Sequence, residues 1–241
     1  MKKKILKINR FVQDPSYCAV ASSACLANFF NKDIDYEKTK EIVHSIYKKE
    51  TIREEGMDTG QICTLLNALG FQKVTVITSN LHIFDYTWEN YSRNKMIRTL
   101  KTASRKLDAG YRESALLFHN WLKNKDYDNK IILDYDFSKY IQESIEGGTP
   151  AYVTFNWTMH FKYHKENEKG RKDEFKGNFT EHATIAYGID NKNVHICDSH
   201  KNFYVKKLKR YSKGMYTVPW TQFMSIMGFG DVILVDNYVA P

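Results

Sequence analysis

One stretch constrains the fold more than any other: Asp14-Pro15-Ser16-Tyr17, followed by the Ala- and Ser-rich run Cys18 to Phe30 and closed by Asn31. An Asp cap with a Pro in the first turn, ahead of an apolar run, marks a helix start. The small side chains of Ala19, Ala21, Ser22, Ala24 and Ala27 let neighbouring elements approach closely, so this helix is expected at the centre of the molecule. Cys18 then falls in or beside the first turn, where unsatisfied N–H groups put partial positive charge next to the sulfur. That setting favours the thiolate, the reactive form of a thiol. The other three cysteines lack it: Cys25 lies two turns further along the same helix, Cys63 in a second apolar helix and Cys197 in a strand. Cys18 is the candidate nucleophile.

A cysteine nucleophile needs a base. Of the 8 histidines, His182 stands out through its relation to Asp198. His182 to Ile189 and Val194 to Asp198 read as an antiparallel pair of strands. With the turn centred on Asp190, Gly188 faces Lys192, Ala186 faces Val194, Thr184 faces Ile196 and His182 faces Asp198. Directly opposed Cβ atoms lie about 4.5–5.5 Å apart, close enough for the carboxylate to hold the imidazole. A register two residues away keeps both side chains on one face, whereas a slip of one residue separates them. Gln13, a few residues ahead of Cys18, carries an amide that can donate to an oxyanion beside the Cys18 N–H. His195, Cys197 and His200, or His160 with His164, are ligand types suited to zinc. His195 and Cys197, however, fall on the strand face opposite Asp198 and no fourth ligand is evident, so no metal and no cofactor are expected.

The remaining pattern is helical first and strand-rich later, the order of an α+β protein. A strand is expected at Lys4 to Asn9, and helices over Asp35 to Lys49 and Thr59 to Leu69, the second ended by Gly70. A strand at Phe71 to Thr78 precedes two helical stretches between Trp88 and Asp126, broken near Asp108-Ala109-Gly110. Lys130 to Leu133 reads as a strand, Asp136 to Glu146 as a helix, and Gly147 to Pro150 as a turn into a strand from Ala151 to Trp157. Phe203 to Leu208 would complete a meander with the His182 and Asp198 strands, and Thr221 to Met227 and Val232 to Val235 follow. The 241 residues read as one domain, 1–241, with a helical insertion at about 81–137 and a charged loop at about 160–178.

Apolar residues at 42% and aromatics at 14% exclude a disordered chain. No run approaches the roughly 18 consecutive apolar residues of a membrane-spanning helix. Lys2-Lys3-Lys4 is followed by too short an apolar run for a signal peptide. A cytoplasmic protein with free thiols is therefore expected, with no membrane partner. The net charge is +8, but the lysines are interspersed with Asp and Glu, as in Glu166 to Lys176. That mixture describes a solvated surface rather than a nucleic-acid site.

These motifs resemble the papain-like cysteine peptidase superfamily, most closely the bacterial double-glycine leader peptidases and their stand-alone relatives. Gln13 with Cys18-Ala19-Val20-Ala21-Ser22 is similar to the family's Gln plus Cys-Gly-x-Ala-Ser signature. Glu181 to Gly188, leading to Ile196-Cys197-Asp198, is similar to its histidine strand and following aspartate. Gly56-Met57-Asp58-Thr59 with Leu65 to Phe71, and Ile145 to Val153, match intervening segments in the same order. The resemblance covers roughly residues 10–80 and 138–210. Ala19 stands where the family has glycine, and four residues rather than five separate Gln13 from Cys18. Phytochelatin synthases are similar at Pro15-Ser16-Tyr17-Cys18.

The resemblance implies a papain-like fold, its N-terminal helical part bearing the nucleophile at a helix N-terminus and packed on a C-terminal antiparallel sheet. It further implies a hydrolase that cleaves a peptide or isopeptide bond of a peptide or protein substrate through Cys18, His182, Asp198 and Gln13. The same thioester handed to an amine would give acyl transfer or transglutamination, and attack on a Gln side chain would give deamidation. A catalytically inactive binding scaffold is the alternative class.

Overall fold

A computed structural model of the chain describes residues 3–167, 171–200, 214–228 and 230–240. Its strands are β1 (Lys4–Ile5), β2 (Phe71–Thr78), β3 (Lys130–Leu133), β4 (Ala151–Asn156), β5 (Glu181–Ile189), β6 (Asn193–Cys197), β7 (Met215–Pro219) and β8 (Asp231–Tyr238). They form one sheet in the order β3-β2-β8-β4-β5-β6-β7, with β1 also paired to β5. The helices are α1 (Cys18–Phe30), α2 (Tyr36–Ile46), α3 (Lys49–Glu55), α4 (Thr59–Ala68), α5 (Arg93–Lys106), α6 (Ala109–Lys123), α7 (Phe137–Gly147), α8 (Trp157–Phe161) and α9 (Trp220–Ile226). The architecture is α+β, with helices on both faces of the sheet.

Alternation along the strands builds two cores. Tyr152, Ile185 and Ile233 pack with α1, α4 and the α5–α6 hairpin, whereas Val153, Ala186 and Val232 pack with α7 and α9. Helix α1 is the central one: every residue from Ala19 to Asn28 is buried, which its small side chains permit. Ser22 Oγ donates to the Ala183 carbonyl at 2.9 Å and Tyr152 Oη to the Ala19 carbonyl at 3.2 Å, so the first turns of α1 are tied to β5 and β4. Helix α4 begins in a capping box, Asp58 accepting from the Gly60 N–H while Gln61 accepts from the Asp58 N–H. Leu26, Ile62, Leu65 and Leu66 are fully buried, each worth about 1.5–3 kcal/mol by transfer from water.

Several expectations need correction. Asp35 to Lys49 is not one helix: Tyr47 is extended at φ −127°, ψ 146°, and its ring packs on the core, so the chain restarts as α3. The sheet is neither wholly C-terminal nor wholly antiparallel, because β2 and β3 pair in parallel at its edge. Parallel neighbours require a crossover, and the stretch read as an insertion, 81–137, supplies it through α5 and α6. That hairpin buries Met96, Leu100, Phe118, Trp121 and Leu122 in the same core as α1 and α4. Strand β7 and helix α8 were not anticipated, and the expected strand at 203–208 lies outside the described residues. Among the described residues, no helix is long and apolar enough to cross a membrane.

Candidate active site

The approach to Cys18 is a tight turn rather than a capped helix start. The Tyr17 N–H donates to the Asp14 carbonyl at 3.1 Å, and Ser16 takes the left-handed conformation at φ 67°, where glycine is the usual residue. Pro15 therefore sits in the turn before the helix. Asp14 is not the cap; its carboxylate accepts from Tyr36 Oη and Lys40 Nζ, both at 3.2 Å. Tyr17 occupies the N-cap position without a side-chain hydrogen bond to the helix, its hydroxyl meeting His44 Nε2 instead at 3.0 Å. The first-turn N–H groups of α1 thus have no side-chain cap beside the half-buried Cys18. Burial pushes the Cys18 thiol up, but hydrogen bonding and charge from His182 and the N–H groups of Ala183 and Ala19 outweigh it, leaving the pKa below its ordinary value.

His182 Nε2 lies 2.8 Å from Asp198 Oδ1, which leaves the other ring nitrogen available to the Cys18 thiol in the same cleft. Burial opposes protonation of the imidazole, yet the Asp198 charge and the hydrogen bonds to Asp198 and Cys18 raise its pKa to about 10. Asp198 is fully buried. Desolvation alone would raise it, but His182, the His200 N–H and the Tyr216 hydroxyl hold it below the usual carboxylate range. The last two donate to Oδ1 and Oδ2, each at 2.8 Å.

The two residues meet, but not in the expected register. The turn is centred between Asn191 and Lys192, with Asp190 accepting from the N–H groups of Lys192 and Asn193 at 2.9 Å. Ile189 therefore pairs with Val194 and Gly188 with His195. Tyr187 is then an extra residue on β5, a bulge after which Ala186 pairs with Ile196 and Ile185 with Cys197. Continued to its end, this register sets Asp198 opposite Thr184, so His182 reaches Asp198 along a diagonal. Without the bulge the pairing would shift by one residue, and the two side chains would occupy opposite faces.

Gln13 is buried and joined to the segment after β6: its N–H donates to the Ser199 carbonyl at 2.9 Å, and Ser199 Oγ donates to its Oε1 at 2.8 Å. With the amide oxygen engaged, the NH2 group is left as the donor, and Gln13 lines the same cleft as Cys18 and His182. Arg10 braces this segment from behind, donating to the Asp198 carbonyl at 2.6 Å and the His200 carbonyl at 2.8 Å. The sequence reading missed Arg10, Ser199 and Tyr216; the alternating Met215–Pro219 segment was the available signal for Tyr216, but nothing in it pointed to Asp198.

The Cys18–His182 pair sits where two parts of one cleft meet. One part, about 630 Å³, runs between α4, α6 and the start of β5, and the other, about 550 Å³, runs past Gln13, Trp157, Tyr163 and His200. The charged loop supplies Glu166, Asn167, Asn178 and Phe179 to the wall, and the crossover supplies Ile83, Tyr111, Ser114 and Phe118. Elsewhere, burial pushes the Cys63 thiol well up, and the Cys25 thiol, with burial, raises that of Cys197. His195 is bound to Asp190 Oδ2 at 3.0 Å and His164 to Glu166 Oε1 at 3.3 Å, on separate elements.

No protein-family model matches the sequence, and no curated protein does. Among solved structures, the chain is similar to a Bacillus anthracis protein labelled provisionally as a C39-like peptidase, at 15% identity and a TM-score of 0.44, over 98% of this chain and 100% of the other. A likeness that distant says nothing of activity.

Proposed function

We propose that the chain is a papain-like cysteine hydrolase acting on a peptide or isopeptide bond. The observation that carries this reading is one imidazole, held by a buried carboxylate at 2.8 Å, sharing a cleft with a thiol whose pKa it lowers, at a helix N-terminus without a side-chain cap. The Cys18 thiolate adds to the scissile carbonyl carbon, and the negative charge moves to the oxygen, where the Cys18 N–H and the Gln13 amide are the nearby donors. The His182 imidazolium gives its proton to the departing amine, leaving a thioester. His182, now neutral, takes a proton from water as it attacks; the carboxylic acid leaves and the thiol is restored. Asp198 holds the ring in the orientation that serves both steps.

Iodoacetamide labelling at pH 6 tests this, with each cysteine followed by mass spectrometry. Cys18 is expected to react at least tenfold faster than Cys63, because the first thiol is held below its ordinary pKa and the second well above. His182→Ala should remove most of that advantage. Labelling of Cys18 at the rate of Cys63, indifferent to His182→Ala, would overturn the reading.

A further inference from the structure

The larger part of the cleft is acidic in a chain of net charge +8. Glu54, Glu55, Asp58, Glu166, Glu181 and Asp231 line it, and among the described residues no lysine or arginine does. Two of these carboxylates are incompletely partnered. Asp231, only 6% exposed, accepts from Thr59 Oγ1 on Oδ2 at 2.5 Å and is eased by the neighbouring Thr78 hydroxyl, but its Oδ1 makes no well-formed hydrogen bond. Glu181, the residue before His182, opens to solvent at the mouth and has neither a hydrogen bond nor an ion pair from its carboxylate among the described residues. Asp58 differs, since Gly60 N–H and Ser114 Oγ satisfy its two oxygens.

The charges also act on one another. The walls crowd Glu181 although its edge stays open to solvent, and that partial desolvation, together with Asp231 and Asp58, pushes it up to about 7; burial, offset by Thr59 and Thr78, leaves Asp231 at about 6 with Asp58 adding to the rise. His182 is the one cationic group among the described lining residues, and its charge is shared with Asp198 and Cys18, so the arm keeps a net negative charge. A buried carboxylate oxygen without a donor costs stability unless a ligand supplies one. Among the described residues no three His, Cys, Asp or Glu side chains converge as metal ligands.

We propose that this arm is a cation-recognition subsite, in which Glu181 and Asp231 receive the ammonium or guanidinium group of a Lys or Arg side chain next to the bond that Cys18 attacks, with the Asp58 charge beside them. This rests on the reading of Cys18 as nucleophile and adds the substrate class. The apolar stem of such a residue has Ile83 and Phe118 to lie against, while its head reaches the carboxylates. Glu54 and Glu55 extend the negative field to the cleft entrance and favour encounter with a cationic chain.

Three methanethiosulfonate reagents of similar size test the proposal, bearing 2-aminoethyl, ethyl and 2-sulfonatoethyl groups. Each Cys18 rate is divided by the rate with free glutathione. At low salt the cationic reagent is expected to exceed the anionic one by about tenfold or more, and the ratio to fall toward one in 1 M NaCl, where the Debye length is about 3 Å. Glu181→Gln with Asp58→Asn, the second keeping a capping side chain, should lower the low-salt ratio in the same direction. A short peptide containing lysine should protect Cys18 from iodoacetamide, and its norleucine counterpart should not. Equal rates for the three reagents, equal protection by both peptides, or protection by Ca2+ alone would overturn the subsite while leaving the nucleophile intact. Cys18 rates as slow as those of Cys63 with all three reagents would overturn the function itself, and the subsite with it.

Discussion

Replacing Tyr216 with Phe removes one oxygen atom and leaves the ring in place, so no cavity forms. What it removes is the donor to Asp198 Oδ2, a 2.8 Å hydrogen bond to a fully buried carboxylate. The two other donors to that group, His182 and the His200 N–H, both serve Oδ1, and cannot substitute without moving. A hydrogen bond to a buried charge contributes about 1.5–3 kcal/mol net. For a chain of 150–250 residues, Tm falls by about 2–4 °C per kcal/mol, so a loss near 2 kcal/mol predicts about 4–8 °C.

The pH window follows from the two partners. Asp198 is held low, so its contribution is present above the ordinary carboxylate pKa and lost as pH falls through its lower folded value. His182 is raised to about 10, so its contribution is complete below about 6.5 and lost as pH rises through that raised value. The Tyr216→Phe deficit should therefore be near its maximum at pH 5–6.5. Weakening Asp198 also loosens its hold on the imidazolium, so the acid limb of Cys18 alkylation should move to higher pH. Thermal melts at pH 5 and 6.5 and an alkylation profile measure both effects. Tyr140→Phe is the control, because Tyr140 Oη donates to Asp134 Oδ2 at the same 2.8 Å but in a half-buried setting far from Cys18 in the fold. Equal Tm losses in the two variants, with an unmoved alkylation profile in Tyr216→Phe, would refute the reasoning.

Gly60→Ala sets two effects against each other: alanine is favoured over glycine by at most about 0.5–1 kcal/mol in a helix, and Gly60 lies in the first turn of α4, but the new Cβ would lie 2.8 Å from Leu117 Cβ, where α4 crosses α6. Overpacking costs about 1–3 kcal/mol, so denaturant unfolding is expected to give a net loss, and a net gain would mean that α6 yields freely. Gln13→Ala should lower turnover of any accepted acyl substrate by about 10²–10³-fold, the usual effect of one oxyanion donor. Its iodoacetamide rate should stay within about twofold, because alkylation forms no oxyanion; a parallel fall in both rates would assign Gln13 to positioning Cys18 instead.

Much of the fold was legible where local signals and tertiary demands agree. Helix α1 runs from Cys18 to Phe30 and β2 from Phe71 to Thr78, as periodicity and the flanking Asn31 and Gly70 indicate. The pairing of His182 with Asp198 was legible too, but for an incomplete reason. Asp190 marked a turn without giving its centre, and the Tyr187 bulge responds to packing that no local pattern encodes. At that point Ile5 of β1 presses on Gly188, where a Cβ would come 2.6 Å from Ile5 Cδ1. Asp14 illustrates the opposite failure. Its residue type is right for a cap, but Tyr36 and Lys40, distant in sequence, claim the carboxylate, and Ser16 turns the chain before the helix begins. The acidic cleft was illegible for a third reason: Glu54 with Asp58, Glu181 and Asp231 come from three separate segments amid an excess of lysine.

The bulge at Tyr187 has a consequence for how this hairpin can change length over evolutionary time. One residue gained or lost in the turn, with the bulge kept, rotates one strand relative to the other and carries His182 and Asp198 to opposite sides of the sheet. The same change accompanied by loss or relocation of the bulge restores them. Insertions and deletions between His182 and Asp198 should therefore survive in compensating pairs, and homologues with a different spacing should carry the matching irregularity elsewhere in the hairpin.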